Sequence, residues 1–245
     1  MTERRHNRLA TWARLLRLPN LFTVPGDPVA GYLLVAGARW SPAAAGAAVG
    51  MTLVYEGGLL LNDVCDRQAD AVSRPDRPLP AGEVQPRTVL AVGAALMAAG
   101  VLTVFVTAPP RAGVAAAGVA VLAAAYDRVL KHHRVAGALA MGLCRAGSVL
   151  TGALAAGVPA RFGGAWVWVW LAAGVTGVYT ATITALAADE AGPRPWGGRA
   201  FIPALVLLPV APAVAALAWP AVRPAAVAAV FVLAAVEVAV GALGL

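Results

Sequence analysis

The chain has 245 residues, 60% of them hydrophobic and 13% charged, with a mean hydropathy of +0.75 and a formal charge of +7. A water-soluble domain carries about a quarter charged residues, so an ordinary soluble enzyme is excluded and a single polytopic helical membrane domain over 1–245 is expected. Cys65 and Cys144 fall in unrelated segments without metal-ligand spacing, which excludes a disulfide framework or zinc site as the organising principle.

The opening MTERRHNRLATWARLLRLPN is too broken by arginine for a signal-peptide core. Leu9, Trp12, Ala13 and Leu16 share one face at helical spacing while Arg8, Arg14 and Arg17 mark the polar side, which predicts an interfacial helix. Apolar runs then predict eight spans: Phe22–Ala38, Pro42–Leu61, Val89–Val106, Gly113–Leu130, Val135–Val158, Gly164–Ala188, Phe201–Ala218 and Pro224–Leu245. The first contains TVPGDPVAG, with Pro25, Gly26, Asp27 and Pro28 in its early turns, a break tolerated only against protein or a polar cavity. WVWVW at 166–170 opens the sixth span and reads as an interfacial aromatic belt whose three tryptophans splay around the helix.

Basic residues give the orientation, because cytoplasmic flanks are enriched in them. With the N-terminus inside, that side collects Arg4, Arg5, Arg8, Arg14, Arg17, Arg67, Arg74, Arg77, Arg87, Arg128, Lys131, Arg134, Arg194 and Arg199, against Arg39, Arg111, Arg161 and Arg223 opposite. The positive charge therefore collects on one membrane face, where anionic lipid and phosphate-bearing substrates are the expected partners and nucleic acid is not.

The second span ends in NDVCDRQAD. If the helix continues through Asp70, then Asn62, Asp63, Asp66 and Asp70 fall within an arc of roughly 100° and face one point. Carboxylates so spaced repel one another; a divalent cation between them reverses that cost, and an all-oxygen set suits magnesium shared with substrate phosphates. The alternative is a solvated helix end whose aspartates pair with nearby arginines. A cluster at a membrane boundary, in a chain with twelve acidic residues, favours a functional site.

Downstream, AVSRPDRPLPAGEV hangs Arg74 and Arg77 on a proline-stiffened turn, suited either to phosphate oxygens or to holding the membrane surface. The next polar loop, AAAYDRVLKHHRVAG, supplies Tyr126, Asp127, Arg128, Lys131, His132, His133 and Arg134; its adjacent histidines point to different faces and do not make a metal pair. TALAADEAGPRPWGGR supplies Asp189, Glu190, Arg194 and Arg199. These three loops are expected to rim a single cavity. Arg145, inside an apolar span, needs a partner or a cavity and is expected to face the polar pocket.

RLPNLFTVPGDPVAGYLL, the NDxxDxxxD pattern of Asn62, Asp63, Asp66 and Asp70, RPDRPLPAG and YDRVLK together, in this order, resemble the UbiA superfamily of intramembrane prenyltransferases over most of the chain. The resemblance implies an all-α transmembrane bundle around a central cavity with cytoplasmic cap loops. Members commonly have nine spans, one more than the eight found here. It also implies magnesium-dependent transfer of a prenyl group from its diphosphate to an acceptor that the sequence does not identify. With the charge pattern above, it nominates Asp63, Asp66, Asp70 and Lys131 as catalytic. Asn20, Asn62, Arg74, Arg77, Tyr126, Lys131 and Arg145 become candidates for binding the diphosphate, and Asn62, Asp63, Asp66, Asp70, Asp189 and Glu190 for binding the metal. The family's second acidic motif is commonly DxxxD or longer, where this chain has only the adjacent Asp189 and Glu190. A membrane terpene cyclase of the same superfamily is the alternative enzyme, and a cation-coupled transporter or lipid-binding scaffold the alternative of another class. The expected location is a bacterial plasma membrane with the site mouth cytoplasmic.

Overall fold

Prolines set several of the helix starts. In the computed structural model, which describes residues 8–17, 24–37, 39–160 and 164–190, Pro42 follows an extended Ser41, and Pro86 follows an extended Gln85. Each occupies the first turn, where its missing N–H costs nothing and its fixed φ is already helical. The elements are α1 (Arg8–Leu15), α2 (Gly26–Ala36), α3 (Pro42–Cys65), α4 (Arg67–Ser73), α5 (Pro86–Thr107), α6 (Pro110–Arg128), a 3-10 turn (Leu130–His132), α7 (Arg134–Ala155) and α8 (Ala165–Glu190). No strand occurs among the described residues. By length and composition α3, α5, α7 and residues Ala165–Ala187 of α8 are fit to cross a bilayer.

The third to sixth expected spans correspond to α5 to α8, with α5 and α6 starting three residues earlier at their prolines. The seventh and eighth lie outside the described residues. The first is shortened: Pro25 caps α2 and Pro28 falls in its first turn, so the helix has 11 residues and a length of about 16 Å. The second does not run on through Asp70. α3 stops at Cys65 and α4 starts at Arg67, with Asp66 (φ −86°, ψ 0°) as the hinge between them.

Close backbone approach, not large side chains, holds the spans together, as is usual for helices that cannot use the hydrophobic effect against lipid. α3 lies along α5 with Gly57 against Gly93, where a Cβ on Gly57 would meet the Gly93 carbonyl oxygen at 2.6 Å. α2 lies as closely on α7 through Gly152, which faces the Pro28 carbonyl. Tyr32, Met51, Val54, Val104, Ala112 and Val119 fill the space between α2, α3, α5 and α6. A second cluster, Leu15, Leu60, Leu79 and Val89 with Trp12 and Leu16 beside it, seats α1 over the end of α3 and α5.

Two sequence expectations shift here. Leu9 is 81% exposed, whereas Thr11 and Leu15 are buried; the seated face of α1 is chosen by the loop beneath it, where Thr11 donates to Glu83 Oε2 at 2.7 Å and Arg14 pairs with the same oxygen. The WVWVW run divides: Trp166 is buried against Leu34, Val35, Leu150 and Leu154, while Trp170 is exposed. Trp166 is thus a packing residue between α2, α7 and α8, and the belt reading does not hold for it.

Candidate functional site

Two cations from other segments divide the acidic motif into two bridged pairs. Asp63 and Asp70 share Arg77, whose Nη1 lies 3.6 Å from Asp63 Oδ1 and 2.6 Å from Asp70 Oδ2. Asn62 and Asp66 share Lys131, whose Nζ lies 3.2 Å from Asn62 Oδ1 and 2.6 Å from Asp66 Oδ1. Arg17 closes the ring by donating to Asp63 Oδ1 at 3.0 Å. The four motif residues therefore do not converge on one point, and among the described residues no group of three or more His, Cys, Asp or Glu side chains is arranged to hold a metal. Asp70 pairs with Arg77 of the proline-rich loop, while Asp66 pairs with Lys131 of the 3-10 turn.

Local chemistry delivers each cation. The loop after α4 folds on itself through Ala81 N–H to Arg77 O (2.9 Å) and Glu83 N–H to Pro78 O (3.0 Å), with Gly82 at φ +73°. Leu79 anchors that loop in the cluster beneath α1, which points Arg77 back at the aspartates. Lys131 leaves a 3-10 turn packed against α7 at Gly137. Arg17, just past α1, has a left-handed φ of 42°, a conformation uncommon for a residue with a Cβ and typical of a helix end.

Behind this ring lies a cavity of about 290 Å³. Arg17, Asn62, Tyr126 and Asp127 line its charged end; Val24, Met51, Val54, Leu59, Val119 and Met141 supply apolar wall; and Cys144, Arg145 and Ser148 of α7 line it as well. Arg145 does face this cavity, as expected, and its Nη1 lies 3.0 Å from Asp27 Oδ2, a carboxylate of α2 outside the ring. Arg74 is exposed and forms no ion pair among the described residues. Asp189 and Glu190 close α8, and their side chains, like Asn20, lie outside the described residues.

Four residues escaped the sequence reading of the site. Arg17 reads in sequence as the polar side of a surface helix, Asp27 as part of a helix break, and Asp127 as one polar residue of its loop among several. Glu56, in the apolar run before the motif, is buried, and neither carboxylate oxygen has a hydrogen-bond partner among the described residues. One signal could have flagged Glu56 and Asp27: an acid inside an apolar span is costly and marks a partner or pathway.

The donor set is compatible with magnesium. All its ligating atoms are hard oxygens, Arg77 and Lys131 already occupy positions where positive charge bridges two of them, and this ion commonly takes only one or two protein carboxylates together with waters and phosphates.

A helical membrane bundle with a ring of acids and cations over a largely apolar cavity is the class of protein defined so far. The family profile described as the UbiA prenyltransferase family matches residues 28–245, and the chain belongs to that family. A digeranylgeranylglyceryl phosphate synthase of Halobacterium salinarum is 38% identical over 138 residues, 53% of this chain and 47% of that protein. A protein of the same name from Ignicoccus hospitalis is 33% identical over 148 residues, 60% of this chain and 48% of that one. The chain thus spans about half the length of these curated relatives. Among solved structures, a UbiA homolog from Archaeoglobus fulgidus bound to DMAPP and Mg2+ superposes with a TM-score of 0.67 at 16% identity, over 94% of this chain and 85% of that one. The same homolog bound to GPP and Mg2+ superposes with a TM-score of 0.64 at 14% identity, over 94% and 85%. At these identities the likeness establishes the fold.

Proposed function

We propose that this protein transfers a prenyl group from an allylic prenyl diphosphate to an acceptor within the membrane, with magnesium at the NDxxDxxxD carboxylates. The observation that carries this reading is the ring itself: Asp63, Asp66 and Asp70 held by Arg17, Arg77 and Lys131 at the end of a cavity with apolar walls. The relatives' name and the DMAPP, GPP and Mg2+ of the neighbouring structures support it. The basic residues along the sequence favour a cytoplasmic mouth and N-terminus, and we place the protein in a prokaryotic plasma membrane; the relatives described above are archaeal. Asp189 and Glu190 are proposed as a second acidic side, whereas Arg74 and Arg145 drop out of the diphosphate set.

Magnesium, when bound, offsets diphosphate charge and lets the carboxylates hold an anionic substrate. Arg77 and Arg17 exchange a carboxylate oxygen for a phosphate oxygen, because a guanidinium fork matches both. Lys131, freed from Asp66, donates to the leaving diphosphate as its charge grows. The carbon–oxygen bond breaks with its electron pair on the diphosphate, and the acceptor's electron pair closes the new bond to carbon. Asp127, buried on the cavity wall, is the carboxylate placed to take the acceptor's proton. Met51, Val54 and Val119 hold the tail and keep water from the allylic cation.

The test is mass spectrometry of products from membranes supplied with prenyl diphosphates of graded length, with and without magnesium. A prenylated acceptor formed only with magnesium supports the proposal. A cyclic hydrocarbon or alcohol formed from the diphosphate alone replaces transfer by cyclisation. No consumption of any diphosphate sinks both.

A further inference from the structure

The cavity has a second polar pole that the chemistry at the mouth leaves unused. Arg145 lines it from α7, paired at 3.0 Å with Asp27 of α2, and the buried Ser148 lines it one turn further on. The pair is well buried, with side chains 19% and 7% exposed. Arg145 lies 145 − 134 = 11 residues into α7, about 16 Å from its start at 1.5 Å per residue. That is near the midplane of a hydrocarbon layer about 30 Å thick.

An isoprenoid tail gains nothing from a guanidinium at this depth, and an ionisable side chain there is costly enough to point to a ligand or pathway. Asp27 balances the charge, but a guanidinium has five N–H donors in a planar fork and can serve a second oxygen beside a carboxylate. Since the pair is already neutral, a further anion would meet the Asp27 carboxylate in a low-dielectric site without a counter-charge of its own. We infer that the Arg145–Asp27 pole is the acceptor subsite and that it takes an uncharged oxygen group, a hydroxyl or carbonyl, of a small acceptor whose nucleophilic end faces the mouth. This departs from the phosphate-bearing lipid in the relatives' name. It rests on the transferase reading only in calling the ligand an acceptor.

The test uses the full chain in lipid nanodiscs, without magnesium or prenyl diphosphate. Binding of 1-naphthol, 1-naphthoate and naphthalene, three probes with one ring skeleton, is measured by equilibrium dialysis against empty nanodiscs. The expected result is 1-naphthol binding about tenfold tighter than either of the others, the scale of one or two buried hydrogen bonds. The double variant D27L/R145M should lose that preference; exchanging a buried ion pair for apolar groups is often neutral or stabilising, so it keeps a folded comparison. Preference for 1-naphthoate, absence of any preference in the wild type, or a preference that survives in the double variant overturns the inference. Consumption of farnesyl diphosphate with magnesium is followed in parallel. Naphthol selectivity without consumption sinks the transferase reading and leaves the subsite standing, while consumption without selectivity does the reverse.

Discussion

At the mouth, three aspartates share cations drawn from three separate segments, and each ion pair keeps one member about one-third exposed, Arg17 and Asp66 at 34% and Arg77 at 28%, against partners at 9–11%. At the deep pole, one arginine faces one aspartate across the contact of α2 with α7, and both are well buried. Partly hydrated pairs are weak and exchangeable, which suits a site that must trade its own salt bridges for those of a substrate. A desolvated pair is costly to break from one side, which suits a fixed fixture. The contrast separates two readouts: substitutions at the mouth should appear in turnover with little change in stability, whereas removing one partner of the deep pole should appear in stability as well as in acceptor binding.

The largest expected effect tests the first half. Asp66→Ala should lower magnesium-dependent prenyl transfer by about 10³-fold, because it removes one side of the charge balance needed in the transition state. Product formation at saturating magnesium measures it, and a Tm close to the wild type would show that the loss is chemical. A folded Asp66→Ala protein with full turnover would remove Asp66 from the charge balance of the reaction, and absence of turnover in the wild type as well would revive a transporter or scaffold role.

Arg145→Met tests the second half. Removing the cation opposite the buried Asp27 should cost about 3 kcal/mol or more, whereas D27L/R145M should fall within about 1 kcal/mol of the wild type. Thermal unfolding in one detergent, compared across the two variants, reads the difference directly. Equal destabilisation in both would mean that the pair is no more coupled than a surface contact, and the comparison between the two regions would fail. Lys131→Met comes next in size. It removes a donor that meets the leaving diphosphate as its charge grows, so kcat and kcat/KM should both fall about tenfold, with part of the rate's dependence on ionic strength lost. Initial rates across a salt series check both.

Much of the bundle was legible because its signals are local. Apolar runs marked α3 and α5 to α8, though Pro86 and Pro110 start α5 and α6 three residues before those runs, and three polar loops in order pointed to a rim. Lys131 reaches Asn62 and Asp66 across 69 and 65 positions, which joins two of those loops; the third lies outside the described residues. What stayed hidden was distant pairing. Nothing in DVCDRQAD is a proline or glycine, and helical bonds from Asp66 to Asn62 and from Asp70 to Asp66 carry across the one-residue interruption; what the motif does not reveal is that cations from distant segments tie its residues into two bridged pairs. Asp27 and Arg145 are 145 − 27 = 118 positions apart, and periodicity carries no information about a contact at that range. Arg17 illustrates the same limit: amphipathic spacing identified a polar side of α1 without saying that it would reach Asp63.

The smallest expected effect concerns how that reach is maintained. α1 is docked by Thr11 and Arg14 on one oxygen of Glu83, and Arg14 is 50% exposed while Glu83 is 8% exposed. Exposed pairs contribute a few tenths of a kcal/mol up to about 1, and Thr11 remains to satisfy Glu83 in Arg14→Ala. Global stability should therefore change by less than about 1 kcal/mol, within a few degrees of Tm. Turnover should fall by more than stability suggests, by about twofold to fivefold, because Arg17 follows directly on α1 and depends on its seating to meet Asp63. Matched Tm and rate measurements decide the point. A Tm loss without a rate loss would mean that Arg17 is positioned by the chain beyond α1, and the mouth would then owe less to this helix than its contacts imply.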